Sequence, residues 1–390
     1  CVAGGNGQLL FADSEGGITI CNQNYSLKRF QAHSGCINFA YYYKSSSILL
    51  TISSDIDNRA EAEIAHSREV SNRYRASLAA NSHYDWILKD LCLANTVSSP
   101  EGSIRNEVKL WKMNTLDESD NPVCLRTFSF FPSSSTEIIT SLAVDEDNDM
   151  LCVGCRSGLL FYLQGDVSRM KWIQPSSIET NLSEPVTGLY FAPSENPNTL
   201  FLYCVSATHT GVFSITLGPR RIITFTSLSD TVGSEPGCSC ITDQHELIVG
   251  RDAGLYRYRN GEECGCYSVP GKKQFVQSFK DCIFVSDTHE DVERITIYNM
   301  QAHFIEYQGP VLRDQKSEPI TAVYTEWGDI FVTTAEHSVF CLHKLDLQTK
   351  LHALYEQKLF SVALTLAHNN NLYYGSIVEI HKLYGDYLYQ

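Results

Sequence analysis

Residues 246–258 read ELIVGRDAGLYRY: an apolar run, a polar turn holding a glycine, then a second apolar run. Two short strands joined by a tight turn are the direct reading of such a pattern. The phrase recurs as QLLFADSEGGITIC (8–21), MLCVGCRSGLLFYL (150–163), LFLYCVSATHTGVFSI (200–215), CIFVSDTHEDVERITIYN (282–299) and DIFVTTAEHSVFCL (329–342). A further copy is interrupted, ILLTISSD (48–55) finding its partner only at EVKLWKM (107–113). Another apolar segment often precedes the phrase, as in INFAYYY, VTGLYFAP and ITAVYTEW, and a fourth often follows, as in LKRFQA, CLRTFSF and HFIEYQ. Successive copies lie roughly 35–50 residues apart once the interruption is set aside, the spacing of propeller blades. One four-stranded sheet cannot cover both its faces; stacking such sheets around an axis does so and leaves few exposed edges. Seven copies therefore predict an all-β, seven-bladed, WD40-like β-propeller over residues 1–346. EVKLWKM resembles the third strand of a WD-type blade, although no Trp-Asp signature stands there.

Rings of this kind complete one blade with strands from both chain ends. The chain starts at Cys1, so the closing strand is expected upstream of it, and the chain is expected to be a fragment. TKLHALYEQ (349–357) reads either as the last outer strand or as a helix, because Leu351, Leu354 and Tyr355 also fit helical spacing. Beyond it the period changes. KLFSVALTLAHNN sets Leu359, Val362, Ala363 and Leu366 on one stripe, and SIVEIHKLYGDYLY does the same with Ile377, Ile380, Leu383, Tyr384, Tyr387 and Leu388. Two such helices across a polar turn make a helical hairpin, so residues 347–390 are read as the start of an α-solenoid. The insertion at 56–106, in blade 2, holds one or two candidate helices. It reads as a partner-binding arm or as a long linker loop, and length there costs little closure entropy.

Composition narrows the function. The 45 acidic and 30 basic side chains give a net charge of −15. Nucleic-acid binders and anionic membrane surfaces both call for a basic footprint, and GPRR (218–221) and GKK (271–273) are too short to make one; no nucleic-acid partner is expected. No apolar run approaches the roughly 20 residues of a membrane helix. Most of the 14 cysteines sit in strand-like runs, Cys152, Cys204, Cys282 and Cys341 among them, where a thiol packs as a small hydrophobe. Without a secretory signal they are read as free thiols in a reducing cytosol, leaving the sequons at Asn24 and Asn181 unused.

Motifs for chemistry are sparse. There is no P-loop, G-x-S-x-G or H-E-x-x-H, and GGNGQLL lacks the third glycine of a dinucleotide fingerprint. Cys152 and Cys155 form a C-x-x-C with no second pair at zinc-ribbon spacing. The C-x-C pairs Cys238/Cys240 and Cys264/Cys266 flank one blade hairpin; four thiolates there would suit zinc, or each pair packs between blades. His245–Glu246 and His289–Glu290 fall in turns, as solvated residues or as acid–base candidates. The 21 tyrosines suit half-buried strands as well as a recognition surface. No catalytic, cofactor-binding or metal-ligating residue is assigned.

The stretch TEWGDIFVTTAEHSVFCLHKLDLQTKLHALYEQKLFSVALTLA (325–367), followed by YGDYLY (384–389), resembles the propeller–solenoid junction of the vacuolar protein sorting protein eleven family, one of the class C Vps proteins. PVTGLYF (185–191), EVKLWKM and GLLFYLQGD (158–166) also fit the amino-terminal half of that family. The resemblance runs along the whole chain and is dense in about the last seventy residues; the 56–106 insertion departs from it. It implies a non-catalytic core subunit of the HOPS and CORVET tethering complexes. Such a subunit acts in docking and fusion at endosomes, lysosomes or vacuoles and in endosomal protein transport. The implied partners are the other class C subunits, with SNAREs and Rab GTPases engaged indirectly. The implied location is cytoplasmic and peripheral on those membranes, through the complex. Zinc is implied only for a RING domain beyond Gln390, where any ubiquitin-ligase activity of the whole protein would also reside. Two other readings of the same architecture are a coat or nuclear-pore scaffold and, from another class, a propeller enzyme with an axial site.

Overall fold

A strand covered on both faces is apolar at consecutive positions, because successive side chains point to opposite sides of the sheet. Leu49 and Leu50 show this. Both are fully buried neighbours in one strand, yet Leu49 joins one inter-blade core and Leu50 the next. In the computed structural model such strands form the middle of seven antiparallel blades in a β-propeller arrangement, followed by three helices. The structure describes residues 1–56, 104–131, 137–166, 171–172, 176–178, 180, 182–218, 222–289, 292–300, 304–310, 312–313, 316–336, 338–370 and 372–389. The candidate helices of the blade 2 insertion, most of the GPRR run and Asn181 itself fall outside those residues.

The chain divides into two compact units, residues 1–240 with 245–269 and residues 241–244 with 270–390. In the first, blade 1 consists of Val2–Gly5, Gln8–Ala12, Gly17–Asn22 and Leu27–Gln31, and blade 2 of Ile37–Tyr43, Ile48–Ile56, Ile104–Leu116 and Pro122–Phe128. Blade 3 has Ile139–Asp145, Met150–Cys155 and Leu160–Asp166, with its outer position split between Lys171–Trp172 and Ser176–Ile178. Blade 4 has Val186–Pro193, Thr199–Ser206, Thr210–Thr216 and Ile223–Ser229. Blade 5 has Ser239–Ile241, Leu247–Arg251, Gly254–Arg259 and Glu262–Ser268. Separate cores fill the gaps between blades. Leu10, Ile18 and Phe30 meet Leu49 and Trp111 between blades 1 and 2. Leu50, Ile52 and Val108 meet Leu151 and Val153 between blades 2 and 3. Met150 and Leu160 meet Leu202 and Phe213 between blades 3 and 4.

In the second unit, blade 6 consists of Lys273–Phe279, Cys282–His289, Val292–Asn299 and Phe304–Pro310. Blade 7 has Ile320–Glu326, Asp329–Thr334 and Val339–Leu342, three strands among the described residues. Phe284 and Ile295 pack on Ile330 and Val332 between these two blades. Asn6-Gly7, Asn260-Gly261 and Trp327-Gly328 make left-handed two-residue turns, the geometry that a tight hairpin's twist demands.

Helices α1 (Leu347–Glu356), α2 (Phe360–Asn369) and α3 (Tyr374–Leu388) close the chain. The ambiguous TKLHALYEQ stretch is thus helical, and three helices stand where the periodicity alone gives two. Asp346 decides the matter locally: its carboxylate accepts from the Thr349 N–H at 2.9 Å and the Thr349 hydroxyl at 2.6 Å, capping α1. Leu351, Ala363, Leu366, Ala367 and Ile380 form a core of the helices' own.

Candidate interaction surfaces

Three of the links that carry the chain from one blade to the next are pinned by polar side chains, of which His33 and Glu318 are buried. His33 lies in the link from blade 1 to blade 2. The Gly16 carbonyl accepts from its N–H at 3.0 Å and from that of Ala32 at 2.9 Å. Gly16 adopts φ +82°, and a Cβ there would stand 2.1 Å from the His33 carbonyl oxygen, so only glycine permits this approach. The His33 ring then spans blade 2: Nε2 is 2.7 Å from Thr51 Oγ1, and Nδ1 is 3.2 Å from Glu107. Trp111 Nε1 donates to the same Thr51 hydroxyl at 3.1 Å. Burial pushes the Glu107 carboxyl up, but the Lys109 ammonium and His33 outweigh it and hold it below the ordinary glutamate value.

Two other links repeat the device with a carboxylate. Glu184, entering blade 4, accepts from the Ser206 hydroxyl at 3.2 Å and from the Thr208 hydroxyl at 2.9 Å. Glu318, entering blade 7, is buried and accepts from the Thr334 hydroxyl at 2.5 Å. These acceptors bond hydroxyls of their own blades. Their chemistry is that of rigid loop anchors, and spacing alone did not reveal them.

The residues singled out by sequence are dispersed. Cys152 and Cys155 are buried on opposite faces of blade 3, Cys152 toward blade 4 and Cys155 toward blade 2. Burial pushes the Cys152 thiol well up and that of Cys155 up to about 12. Cys238 and Cys240 are buried at the inner edge of blade 5, while Cys264 and Cys266 are exposed on its outer strand. Three inter-strand spacings, roughly 14 Å, separate those edges. Among the described residues no group of three or more His, Cys, Asp or Glu side chains comes together to hold a metal ion. Cys341, read as a packed strand thiol, is exposed instead, because no described strand covers that side of blade 7. His245 sits in an exposed turn at φ +61°, whereas Glu246 is buried and receives Arg257 at 2.8 and 3.0 Å. The His289 side chain and Glu290 lie outside the described residues. Tyr42, Tyr43, Tyr203, Tyr258 and Tyr324 are buried within blades.

The helices offer a different kind of surface. Lys350 of α1 reaches Glu306 on the outer strand of blade 6 at 2.5 Å, and Asn299 donates to the same carboxylate at 2.7 Å. Burial pushes the Glu306 carboxyl up, but these two hydrogen bonds and the Lys350 and Lys344 charges outweigh it and hold it below the usual glutamate value. Phe360 stacks on Tyr355 and Tyr384, locking α2 between its neighbours. The far side of α3 is bare: Tyr374 is 76% exposed, Val378 47% and Leu388 65%. Exposed apolar groups set along one helix face are open to a partner. No helix among the described residues is long and apolar enough to cross a membrane.

A family model described as PEP5/VPS11 N-terminal matches residues 86–344. The chain is 24% identical to the Vacuolar protein sorting-associated protein 11 homologs of Mus musculus and Homo sapiens, over 99% of its own length and 37% of theirs. It is 21% identical to the homolog of Dictyostelium discoideum, over 100% of its own length and 39% of that protein. The chain therefore spans well under half the length of these relatives.

Proposed function

The chain belongs to the PEP5/VPS11 N-terminal family, and on that premise we propose that it is the amino-terminal part of a class C vacuolar protein sorting subunit that works as a scaffold. The finer reading is a subunit shared by HOPS and CORVET, holding endosomal, lysosomal or vacuolar membranes together before SNARE-driven fusion. Its direct partners are the other class C subunits. Its membrane association is peripheral and runs through the complex.

One observation carries this reading: a propeller passes directly into helices whose outer face, at Tyr374, Val378 and Leu388, is apolar and open. Helical repeats bury such faces by stacking on the next repeat, and the relatives are long enough to hold many repeats. A non-catalytic role is supported by the polar clusters at the blade links, whose acceptors bond hydroxyls of their own blades. The test is affinity capture from lysate with identification of the partners, using the whole protein beside residues 1–390. Recovery of the class C subunits by the whole protein and not by residues 1–390 is the expected result, with assembly residing in the helical continuation. Recovery of coat or nuclear-pore proteins instead would overturn the tethering reading.

A further inference from the structure

Two hairpin turns of the first unit carry the same dipeptide. Asn6-Gly7 joins the first two strands of blade 1, and Asn260-Gly261 joins the last two of blade 5. Their backbones match: φ is +50° and +75° in one, +52° and +77° in the other. An Asn-Gly pair is open to intramolecular attack, because glycine has no side chain to shield its amide nitrogen. With dipeptide and backbone equal, what each glycine N–H faces decides the chemistry. The Gly261 N–H donates to the Tyr203 hydroxyl at 3.1 Å, and Tyr203 is fully buried, so that proton points away from water. The Asn260 side chain is held as well, donating to Glu195 at 2.6 Å.

Gly7 differs. Among the described residues no acceptor meets its N–H, and nothing lies within 4 Å of where its Cβ would stand. The exposed Asn6 side chain donates to Ser47 Oγ at 3.0 Å and, at a long 3.4 Å, to the Tyr42 hydroxyl and the Lys44 carbonyl. We propose that Asn6 is a site of spontaneous deamidation and isomerisation, and that Asn260 is protected from the same reaction. The Gly7 nitrogen, its proton lost to solvent, attacks Asn6 Cγ; the Cγ–Nδ2 bond breaks and ammonia leaves. Water then opens the cyclic imide. The product is aspartate or, with the main chain running through Cβ and Cγ, isoaspartate. Either product replaces a donor with a carboxylate that cannot bond the Lys44 carbonyl. Isoaspartate also lengthens a turn whose register, Gly5↔Gln8, holds two residues. The modification thus loosens blade 1 from the first hairpin of blade 2.

Peptide mapping of the whole protein tests this, after ageing in neutral buffer while folded and again while unfolded in guanidinium chloride. In the folded protein the peptide holding Asn6 should gain the mass of deamidation and contain isoaspartate. The peptide holding Asn260 should convert about ten-fold or more slowly, because its turn must first open. Unfolded, the two should convert at similar rates. An Asn6 that stays intact in the folded protein and reacts only on unfolding would overturn the proposal. Equal conversion of both sites in the folded protein would also overturn it, since the Tyr203 contact would then protect nothing. So would a contrast that persists on unfolding, which would assign the difference to local sequence.

Discussion

Cys152 and Cys155, three residues apart in one strand, open into two different cores, the first shared with blade 4 and the second with blade 2. A C-x-x-C in a strand cannot close on one ion or one disulfide, because odd spacing sends its side chains to opposite faces. The motif is a packing feature, and the thiols of the chain divide by burial.

That division is measurable. At pH 8 a thiol-reactive dye should label Cys124, Cys264 and Cys266 promptly and reach Cys152, Cys204 and Cys282 only after denaturation. Burial holds the Cys204 and Cys282 thiols up to about 12, so they stay protonated while exposed thiolates react. Stability should fall as pH rises above about 8.5, where unfolded thiols ionise and these do not. Prompt labelling of Cys152 in the native protein would contradict the buried placement.

Thr51→Val removes the hydroxyl that serves both His33 and Trp111 while keeping the shape. Two buried ring nitrogens lose their partner, and a loss of about 2–3 kcal/mol is expected from denaturant titration. Thr51→Ser keeps the oxygen and should cost less. A larger cost for Thr51→Ser than for Thr51→Val would show that the methyl, not the hydroxyl, matters.

Leu202 is fully buried between blades 3 and 4. Leu202→Ala should destabilise by about 3 kcal/mol through lost transfer energy and the cavity left behind. Leu345→Ala, at an exposed position, should leave the midpoint unchanged.

Lys350→Met should loosen α1 from blade 6, with a local cost of about 2 kcal/mol for a partly buried pair. The pH dependence follows from the lowered Glu306 value. The contribution is complete above the ordinary glutamate pKa of about 4.3 and is lost as pH falls through the lower folded one. Limited proteolysis at the α1 boundary should thus be flat between pH 5 and 8 and rise only below about pH 4. In Lys350→Met that rise should be blunted.

The middle hairpins of all seven blades were legible because burial on both faces makes their strands apolar at consecutive positions. Outer strands were harder: Ile223–Ser229 and Glu262–Ser268 are mostly exposed and carry little pattern. Helix α1 buries Leu351 alone, too little to separate strand from helix without the Asp346 cap. The His33–Thr51–Trp111 chain was invisible because its members lie 18 and 60 residues apart. A signal for the related anchors did exist. Ser-Glu-Pro stands at 183–185, 234–236 and 317–319, each time just before an inner strand. The Lys350–Glu306 pair had no sequence signal, since nothing in the spacing says which blade a following helix will lean on.

Helix α1 emerges from blade 7 and yet fastens to blade 6. A pull transmitted down the helices therefore arrives at two places. Along the covalent chain it reaches Val339–Leu342, a four-residue ladder that tension would unzip from its end. Through Lys350 it reaches Phe304–Pro310, which is held to Val292–Asn299 along a longer register. The ion pair thus works as a strain relief, diverting tension from a short hairpin into a complete sheet.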